Sequence, residues 1–322
     1  MNIALLRQLI EAEGGFVPLG NLGPDLDTVR TALAELESFG FTIEQHPYLG
    51  VAYRAGAERI CPDQIEIDLG TRWVGRRIAV WNQVTSTNDL AARAATSRAN
   101  AGLVVLAEQQ SAGRGRRGRR WSAPPRSSIL MSVLLFPPDM LAETAWLTAL
   151  GAVAVAEVVS EWSGRNARIK WPNDVRVEGH KIAGVLVERG QGAVVGIGIN
   201  ANLTRDELPE ELRPLATSLQ ILLGRKVDRS ELARDLIRRL DHWYERGQSL
   251  GPDSLDAPWR DRSEHLGQPV RITTPTGASF GRLDGIGICQ GISLTLADGR
   301  EQTIAVRDVL ALEAVPIEPR VG

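Results

Sequence analysis

A loop rich in both glycine and arginine holds the residues best suited to chemistry. Five arginines and three glycines fill the eight positions of "GRGRRGRR", Gly113 to Arg120. Glycines let backbone N–H groups approach an anion without a Cβ in the way, and arginines present planar, permanently charged forks to phosphate oxygens. Because like charges repel, we expect only Arg114 and Arg116 to reach the ligand, while the other arginines pair with acids or face solvent. The loop therefore predicts a clamp for a phosphate or an acyl phosphate.

Three alternative roles for this loop fit the sequence less well. "GRGRRG" matches the G-x-G-x-x-G pattern of dinucleotide-binding folds, but that motif must open a helix, and Pro124 with Pro125 prevents an early helix here. A P-loop needs Gly-Lys-Ser/Thr where this chain has Gly118, Arg119 and Arg120. A nuclear-localisation or nucleic-acid patch is an alternative for any basic run, yet this run is short, dense in glycine and placed between two strand-like segments. The anion clamp is the favoured interpretation.

Three small polar residues at a predicted strand-to-helix junction form a second candidate piece. Ser86, Thr87 and Asn88 lie together in "VTSTNDLAA". A helix N-cap accounts for one such residue, and it is the purely structural alternative. Together, the three side chains offer donors and acceptors for a small polar head group such as a urea or an amide.

Two lysines mark a third candidate piece, in "IKWPNDVRVEGHKIAGVLVE". The chain has only three lysines among its 37 basic residues: Lys170, Lys181 and Lys226. A proline bend is expected to place Lys170 and Lys181 near the ends of neighbouring strands, where both could approach one anion. Taken alone, the pattern fits surface lysines beside a turn at Asn173 and Asp174 equally well.

Patterning along the chain divides it into three predicted units. Residues 1–62 show two helical patterns and a hairpin, which is typical of a winged helix-turn-helix. Residues 66–262 mix helices with strand-like runs joined by tight glycine turns, which predicts an α+β domain with a mixed or largely antiparallel sheet. Residues 266–316 hold short strands separated by turns, which predicts a small β-barrel. All three candidate pieces fall in the middle unit.

The charge distribution argues against DNA binding by the first unit. A winged helix-turn-helix commonly places its second helix in the major groove, but residues 1–60 carry four arginines against eight acids, a net charge of −4. Phosphate contacts supply most non-specific DNA affinity. The whole chain has a net charge of −2, which argues against a protein that coats nucleic acid through bulk charge.

Composition also excludes several classes of site. The two cysteines, Cys61 and Cys289, form no C-x-x-C pair and the four histidines lack metal-ligand spacing, so no protein metal site is predicted. No G-x-S-x-G motif supports a serine hydrolase. The longest apolar stretch, Trp146 to Val159, is too short and too interrupted to span a bilayer, and the amphipathic N-terminus is unlike a signal peptide. A cytoplasmic protein without membrane contact is expected.

In combination the motifs resemble those of one family. The segments "STN", "QQSAGRGRRGRRW", "KWPND" and "HKIAGVLVE", in this order and spacing, are similar to those of the biotin protein ligases. The resemblance covers the whole middle unit, and the outer units fit the three-domain form related to the bifunctional ligase and biotin operon repressor. It implies a central biotin–lipoate ligase fold, similar to that of class II aminoacyl-tRNA synthetases, with an N-terminal winged helix and a C-terminal SH3-like β-barrel.

The resemblance implies a two-step reaction with biotin and ATP as substrates and Mg²⁺ bound to the ATP. The biotin carboxylate attacks the α-phosphate, giving biotinoyl-5′-AMP and pyrophosphate. A lysine of a biotin carboxyl carrier protein, or of such a domain in a biotin-dependent carboxylase, then attacks the mixed anhydride. Arg116, Lys181 and Asp174 are the implied catalytic residues: Lys181 bridges the biotin carboxyl group and the phosphate, and Asp174 orients the incoming lysine or helps accept its proton. A homodimer is left open.

The resemblance also implies a set of biotin- and nucleotide-binding residues. They are Ser86, Thr87, Asn88 and Gln110 at the ureido ring, Gly113, Arg114, Gly115 and Arg116 over the adenylate, and Lys170, Lys181, Gly184 and Asn200 completing the site. Some members of the family stack a tryptophan on the adenine, but the corresponding stretch here, Leu215 to Gln220, contains no aromatic residue.

Two other functions stay open on the sequence alone. A lipoate-type protein ligase shares the fold and the acyl-adenylate chemistry, although the polar "STN" set favours a ureido ring over a dithiolane. A biotin-responsive DNA-binding regulator is the alternative from a different class, and the negative charge of the first unit argues against it.

Overall fold

The computed structural model of the protein describes residues 2–315. Helices with a two-stranded hairpin come first, a seven-stranded sheet flanked by helices follows, and a five-stranded sheet comes last. The helices are α1 (Ile3–Glu11), α2 (Leu19–Leu22), α3 (Leu26–Phe39), α4 (Pro62–Glu66), α5 (Thr87–Ala94), α6 (Thr144–Ser163), α7 (Leu219–Leu223), α8 (Arg229–Leu250) and α9 (Asp256–Arg262). The strands are β1 (Thr42–His46), β2 (Gly50–Ala55), β3 (Arg77–Val84), β4 (Leu103–Gln110), β5 (Ser128–Leu135), β6 (Ala167–Lys170), β7 (Asp174–Val177), β8 (His180–Arg189), β9 (Ala193–Asn200), β10 (Pro269–Thr274), β11 (Gly277–Gly287), β12 (Gly291–Leu296), β13 (Glu301–Ile304) and β14 (Ala311–Ala314).

The first group of elements forms where the sequence provides helix caps. The Asn2 side chain accepts a hydrogen bond from Leu5 N at the start of α1, and Asp25 caps α3 in the same way. α3 ends at Gly40, whose φ of 111° is a left-handed conformation that glycine adopts at little cost. β1 and β2 pair antiparallel, and the apolar faces of these elements form a small core of their own. The two predicted helices and the hairpin are present.

The central sheet is mixed, as the sequence predicts. Its strand order is β3-β4-β5-β9-β8-β7-β6. β3 and β4 are parallel because α5 lies between them in the chain, whereas every other neighbouring pair is antiparallel. β6 to β9 form the expected meander with tight turns, so side chains that are distant in sequence reach one face of the sheet.

α6 is the core helix behind this sheet. It is apolar on all sides, with residues such as Trp146 and Val153 fully buried between the sheet and α8. Trp146 fits against α8 because residue 247 is a glycine. A Cβ at that position would lie only 2.3 Å from the Trp146 ring. By length and composition α6 could cross a membrane, but 67% of its most apolar window is buried inside the protein. This burial is expected of a core helix.

The segment that joins the first group of elements to the sheet is packed on two sides. Ile60 and Ile65 belong to the central core, whereas Cys61 and Ile67 belong to the N-terminal core. The predicted boundary at residue 62 therefore falls at the first residue of α4 and within packed structure. The division of the chain into units 1–62 and 66–262 stays a prediction.

A buried ion pair fastens this joining segment to the sheet. The Glu108 Oε1 atom on β4 accepts a hydrogen bond of 2.6 Å from Ile60 N. Its Oε2 atom lies 2.7 Å from Arg229 Nη1, although the angle there is not that of a hydrogen bond. Both side chains are at most 5% exposed. Since a buried charge without its partner is costly, the two residues hold α8, β4 and the joining segment in one arrangement.

The last group is an antiparallel sheet in the order β13-β12-β11-β10-β14. The four strand-like runs of the sequence, "PVRITTP", "SFGRLDGIG", "ISLTLADG" and "REQTIAV", form β10 to β13, and β14 is a fifth strand that the sequence did not reveal. Buried residues such as Val270, Ile272 and Leu283 belong to the same hydrophobic core as α6. This sheet therefore shares its core with the central one. The predicted unit 266–316 ends at a residue outside the described part of the chain.

Candidate functional site

A buried polar cluster lies at the N-terminus of α5. Thr87 donates to Gln110 Oε1 from its backbone N at 2.7 Å and from its Oγ1 at 3.0 Å. Ser132 Oγ on β5 lies 2.7 Å from Thr87 Oγ1 and 2.6 Å from Asn88 Oδ1. Ser86 occupies the N-cap position, yet its side chain makes no capping hydrogen bond. The cluster brings the four predicted ureido-binding residues together and leaves the Ser86 hydroxyl available to a ligand.

Three glycines form a floor beside this cluster. Gly184 on β8 and Gly198 on β9 are register partners, and the Trp121 indole lies over both. A Cβ at Gly198 would lie 2.5 Å from Trp121 Cε2, and one at Gly196 would lie 2.2 Å from Asn88 Oδ1. The glycines thus let side chains approach the sheet backbone. The buried Trp121 Nε1 has no hydrogen-bond partner among the described residues.

Lys181 and Asp174 form an ion pair at the edge of this floor. Lys181 Nζ lies 2.7 Å from Asp174 Oδ1 and 5.6 Å from the centre of the Trp121 ring. The Lys181 backbone donates to Leu215 O and accepts from Thr217 N, both at 2.8 Å. The stretch that corresponds to the adenine segment of the family is therefore hydrogen-bonded directly to Lys181.

Two further predicted residues lie on the same face of the sheet. Lys170 is the register partner of Asp174 and forms no ion pair within residues 2–315. Asn200 ends β9 two residues after Gly198, so the alternation of side chains places it on the glycine face. Its Nδ2 donates to Thr217 O at 3.0 Å, which leaves its Oδ1 for a ligand.

In the glycine-arginine loop, Arg114 is held by two acids. Its Nη2 lies 2.7 Å from Asp89 Oδ1 and 2.8 Å from Glu188 Oε2, and its Nε donates to Glu188 Oε1 at 3.0 Å. The hydrogen bonds to Glu188 and Asp89 raise the pKa of Arg114, and the bond from Arg114 lowers the pKa of Asp89. Burial raises the pKa of Glu188, but bonds from Arg114 and Asn88 bring it below its usual value. A role for Arg114 at an anion stays a prediction, and it would require these contacts to rearrange.

Arg116 is differently placed from its neighbours. It forms no ion pair with the described residues, and its Nη1 donates to Asn173 Oδ1 at a long 3.4 Å. Partial burial, and then the adjacent Arg117, lower the pKa of Arg116. Arg117 has a left-handed φ of 57° and donates to the carbonyl of Leu310, the residue before β14 of the last sheet. The Arg119 side chain likewise has no ion pair or hydrogen bond within residues 2–315, but the contact with Asn173 is what brings Arg116 next to the Lys181–Asp174 pair.

Sequence reasoning missed several residues of this site. Trp121 ends the loop motif but was assigned no role from its position, and Gly196 and Gly198 were seen only as part of a strand. Glycines at alternate positions of a strand indicate a close approach to the backbone, so this signal was present in "GIGIN". Ser132 and Glu188 gave no such signal, because folding alone brings them to Asn88 from 44 and 100 residues away.

Comparisons with known proteins identify relatives of this chain. The pattern of the Biotin/lipoate A/B protein ligase family matches residues 80–202. The biotin–[acetyl-CoA-carboxylase] ligase of Mycobacterium tuberculosis is 37% identical over 79% of this chain and 95% of its own length. The bifunctional ligase/repressor BirA of Bacillus subtilis is 30% identical over 89% of this chain and 92% of its own. The solved biotin protein ligase from Aquifex aeolicus, in complex with biotin and ATP, has a TM-score of 0.66 and 26% identity, covering 74% of this chain and 100% of that one.

Proposed function

This chain belongs to the biotin protein ligase family, and from that membership we propose that it attaches biotin to a lysine of a carrier protein at the expense of ATP. The observation that carries the proposal is the convergence of three pieces on one face of the sheet. The polar cluster at Thr87, the glycine floor under Trp121 and the Lys181–Asp174 pair adjoin one another. Such a site suits a flat polar ring at one end and an acyl phosphate at the other.

The biotin end of the site is the polar cluster. The Ser86 hydroxyl, the Asn88 amide and the Gln110 amide offer both donors and acceptors, which the urea-like head of biotin needs. Trp121 lies over the sheet floor and offers an apolar surface to the rest of the ring system. The Ser86 hydroxyl and the Gln110 Nε2 atom have no hydrogen-bond partner among the described residues, and a dithiolane could bond to neither, whereas a ureido ring could. The cluster therefore supports a biotin ligase over a lipoate-type ligase.

Formation of the acyl adenylate requires two anions to meet. Lys181 is fixed by Asp174 and lies where the biotin carboxylate and the α-phosphate would come together, with Arg116 on the loop above. Fixed cations offset the repulsion between the anions and stabilise the charge that develops in the transition state. Lys170 and Asn200 lie on the same face to bind further phosphate oxygens.

Transfer to the carrier requires a lysine amine to lose a proton. Asp174 has one carboxylate oxygen 2.7 Å from Lys181 and can orient the incoming amine with the other. No group of three or more His, Cys, Asp or Glu within residues 2–315 could hold a metal ion. In the proposed reaction Mg²⁺ arrives bound to ATP, and the adenine packs near Leu215, which is exposed beside Lys181.

The outer groups of elements have secondary roles in this proposal. The first is a winged helix whose acidic surface is poorly suited to DNA, and the last is an SH3-like barrel whose Leu310 contacts the glycine-arginine loop. We place the enzyme in the cytoplasm, where its carrier, a biotin carboxyl carrier protein or domain, is made; dimerisation is compatible with the site. A biotin-responsive regulator is the second candidate, and its support is the kinship with bifunctional ligase/repressors.

Intact mass of an acceptor domain tests the proposal. After incubation with the enzyme, biotin and MgATP, a biotin carboxyl carrier domain is expected to gain the mass of one biotinoyl group. Lys181→Ala should lower the adenylation rate by roughly 10²–10³, the usual cost of one such donor. Lys226→Ala is the matched control, since the one ion pair of Lys226 within residues 2–315 is with the exposed Glu58. An unmodified acceptor with the wild-type enzyme, or normal pyrophosphate release by Lys181→Ala, contradicts the proposal.

A further inference from the structure

A row of three cations crosses the outer part of the central sheet. Arg168 on β6 is the register partner of Arg176 on β7, and Arg176 is the register partner of Lys181 on β8. Antiparallel partners lie about 4.5–5.5 Å apart and point to the same face. The row therefore leads about 10 Å outward from Lys181 to the edge of the sheet. Of these three cations, only Lys181 takes part in the chemistry proposed above.

The two arginines of this row are incompletely balanced by carboxylates. Arg176 Nη1 lies 3.4 Å from Glu264 Oε1, whereas Arg168 donates only to the neutral carbonyl of Asp261 at 2.7 Å. Arg176 Nε and Glu264 Oε2 are buried and have no hydrogen-bond partner in the described part of the chain. Like charges directly opposite each other destabilise a sheet, and such local conflicts are expected at functional sites. The pair thus indicates a binding role.

An open cavity lies over these arginines. Its volume is about 400 Å³, and an adjoining cavity of about 550 Å³ extends past the end of α6. Together they are broader than a single phosphate needs. Three arginines and two glutamates line the first cavity: Arg165, Arg168, Arg176, Glu178 and Glu264. The lining has both signs of charge, with a small excess of positive charge.

We propose that Arg168 and Arg176 bind acidic side chains that flank the target lysine on the carrier protein. The inference rests on the proposed function, in which the carrier lysine must reach the acyl phosphate beside Lys181 and Asp174. The cation row ends at that point. Carboxylates bound at its outer end hold the carrier surface against the sheet, and the neighbouring lysine then meets Asp174 at its inner end.

The residues that line the cavity favour this partner over the pyrophosphate that the first step releases. Glu178 pairs with Arg165 and Glu264 with Arg176, so a compact polyanion would have to compete with these two acids for the arginines. A protein surface carries amides and cations beside its carboxylates, so it can pair with the glutamates and the arginines together. The mixed charge therefore favours the carrier as the occupant.

The two half-reactions separate these roles experimentally. The double variant Arg168→Gln/Arg176→Gln is compared with Arg225→Gln, which removes an exposed arginine that forms no ion pair within residues 2–315. Biotin-dependent exchange of pyrophosphate into ATP measures the first step. Transfer to a biotin carboxyl carrier domain, at varied domain and salt concentrations, measures the second.

We expect the double variant to raise the KM for the carrier domain by about tenfold and to make transfer less sensitive to salt. Its pyrophosphate exchange should stay within about twofold of wild type, which also shows that it is folded. An unchanged carrier KM overturns the inference. Loss of pyrophosphate exchange with an unchanged carrier KM also overturns it, by assigning the arginines to diphosphate. A wild-type enzyme that modifies no carrier contradicts the proposed function itself.

Discussion

At the scale of single residues, the shape of the candidate site depends on three strand positions that have no side chain. Gly184, Gly196 and Gly198 leave room on the sheet for the Trp121 ring and the Asn88 amide. Any Cβ at Gly198 would enter the space of the indole, which has the sheet below it and the loop above. The flat pocket thus depends on glycine at these strand positions, even though glycine weakens a strand.

Gly198→Ala is predicted to raise the KM for biotin. The new Cβ would lie 2.5 Å from Trp121 Cε2, so the indole must move into the pocket or away from the sheet. Overpacking of this kind costs about 1–3 kcal/mol, which corresponds to a KM increase of about tenfold in pyrophosphate exchange. Gly190→Ala is the control, because a Cβ there meets nothing within 4 Å. A biotin KM equal to that of wild type would refute the role of the glycine floor.

Many residues of this site, but not their geometry, could be predicted from the sequence. Lys181 and Arg116 could be named because rare lysines and a glycine-arginine loop stand out from an arginine-rich chain, whereas the role of Asp174 is implied only by the family resemblance. Their mutual distances could not be predicted, since they depend on the register of β6 to β9. The acids that hold Arg114 could not be predicted either, because Glu188 is 74 residues away in the chain.

At the scale of elements, one charged cluster fastens the glycine-arginine loop to its surroundings. Arg114 in the loop binds Asp89 on α5 and Glu188 on β8 at the same time. Glu188 also accepts from Asn88 at 2.8 Å, so the loop and the biotin end of the site share one acid. A change in the charge of Arg114, Asp89 or Glu188 should therefore affect both the loop and the polar cluster at Thr87.

Asp89→Asn is predicted to destabilise the protein in a pH-dependent way. The folded-state pKa of Asp89 is lowered by its hydrogen bond from Arg114. The stabilisation is then complete above the unfolded pKa of about 3.9 and is lost as the pH falls through the lower folded value. Urea unfolding should show a constant difference between wild type and variant from about pH 5 to 7 that shrinks below about pH 4.

Asp206→Asn serves as the control for this pH series, because the Asp206 side chain forms no ion pair with the described residues. It should leave the free energy of unfolding unchanged at every pH. A difference between wild type and Asp89→Asn that stays the same down to about pH 3 would show that the Arg114 bond does not contribute through the Asp89 charge.

Long elements were predictable and short ones were not. The long helices α3 and α8 follow from their periodicity and N-caps, and α6 follows from its long apolar stretch. α4, α7, α9 and β14 have four to seven residues each, and tertiary packing decides their conformation more than propensity does. The pairing of β5 with β9 also has no local signal, because the two strands are separated by α6 and the meander.

At the scale of the whole molecule, the first group of elements lacks the positive charge that binding to DNA would require. All four of its arginines have intramolecular partners. Arg7 pairs with Asp68, Arg30 with Asp27 and Arg54 with Glu44, and Arg59 lies 4.7 Å from the centre of the Phe39 ring. The surface that would meet a phosphate backbone is left with a net negative charge.

Selection from a random duplex library, followed by gel shifts, is predicted to yield no specific DNA complex. Biotin and MgATP should be present, so that any acyl-adenylate form of the enzyme is sampled. Since phosphate contacts dominate DNA affinity, an acidic surface should bind no more tightly than about 10⁻⁴ M at physiological salt. A bifunctional ligase/repressor in the same gel is the positive control. A sharp, salt-sensitive complex with one sequence would show that this domain is a repressor after all.

The contact between Arg117 and the Leu310 carbonyl has a consequence for turnover. It joins the loop over the reaction centre to a sheet that follows 193 residues later in the chain. We expect this bond to restrain the loop, so that admission of reactants and retention of a labile intermediate depend on both partners. A chain shortened before Leu310 would lose this restraint together with part of its shared core, and hydrolysis of an escaped anhydride would then compete with productive transfer.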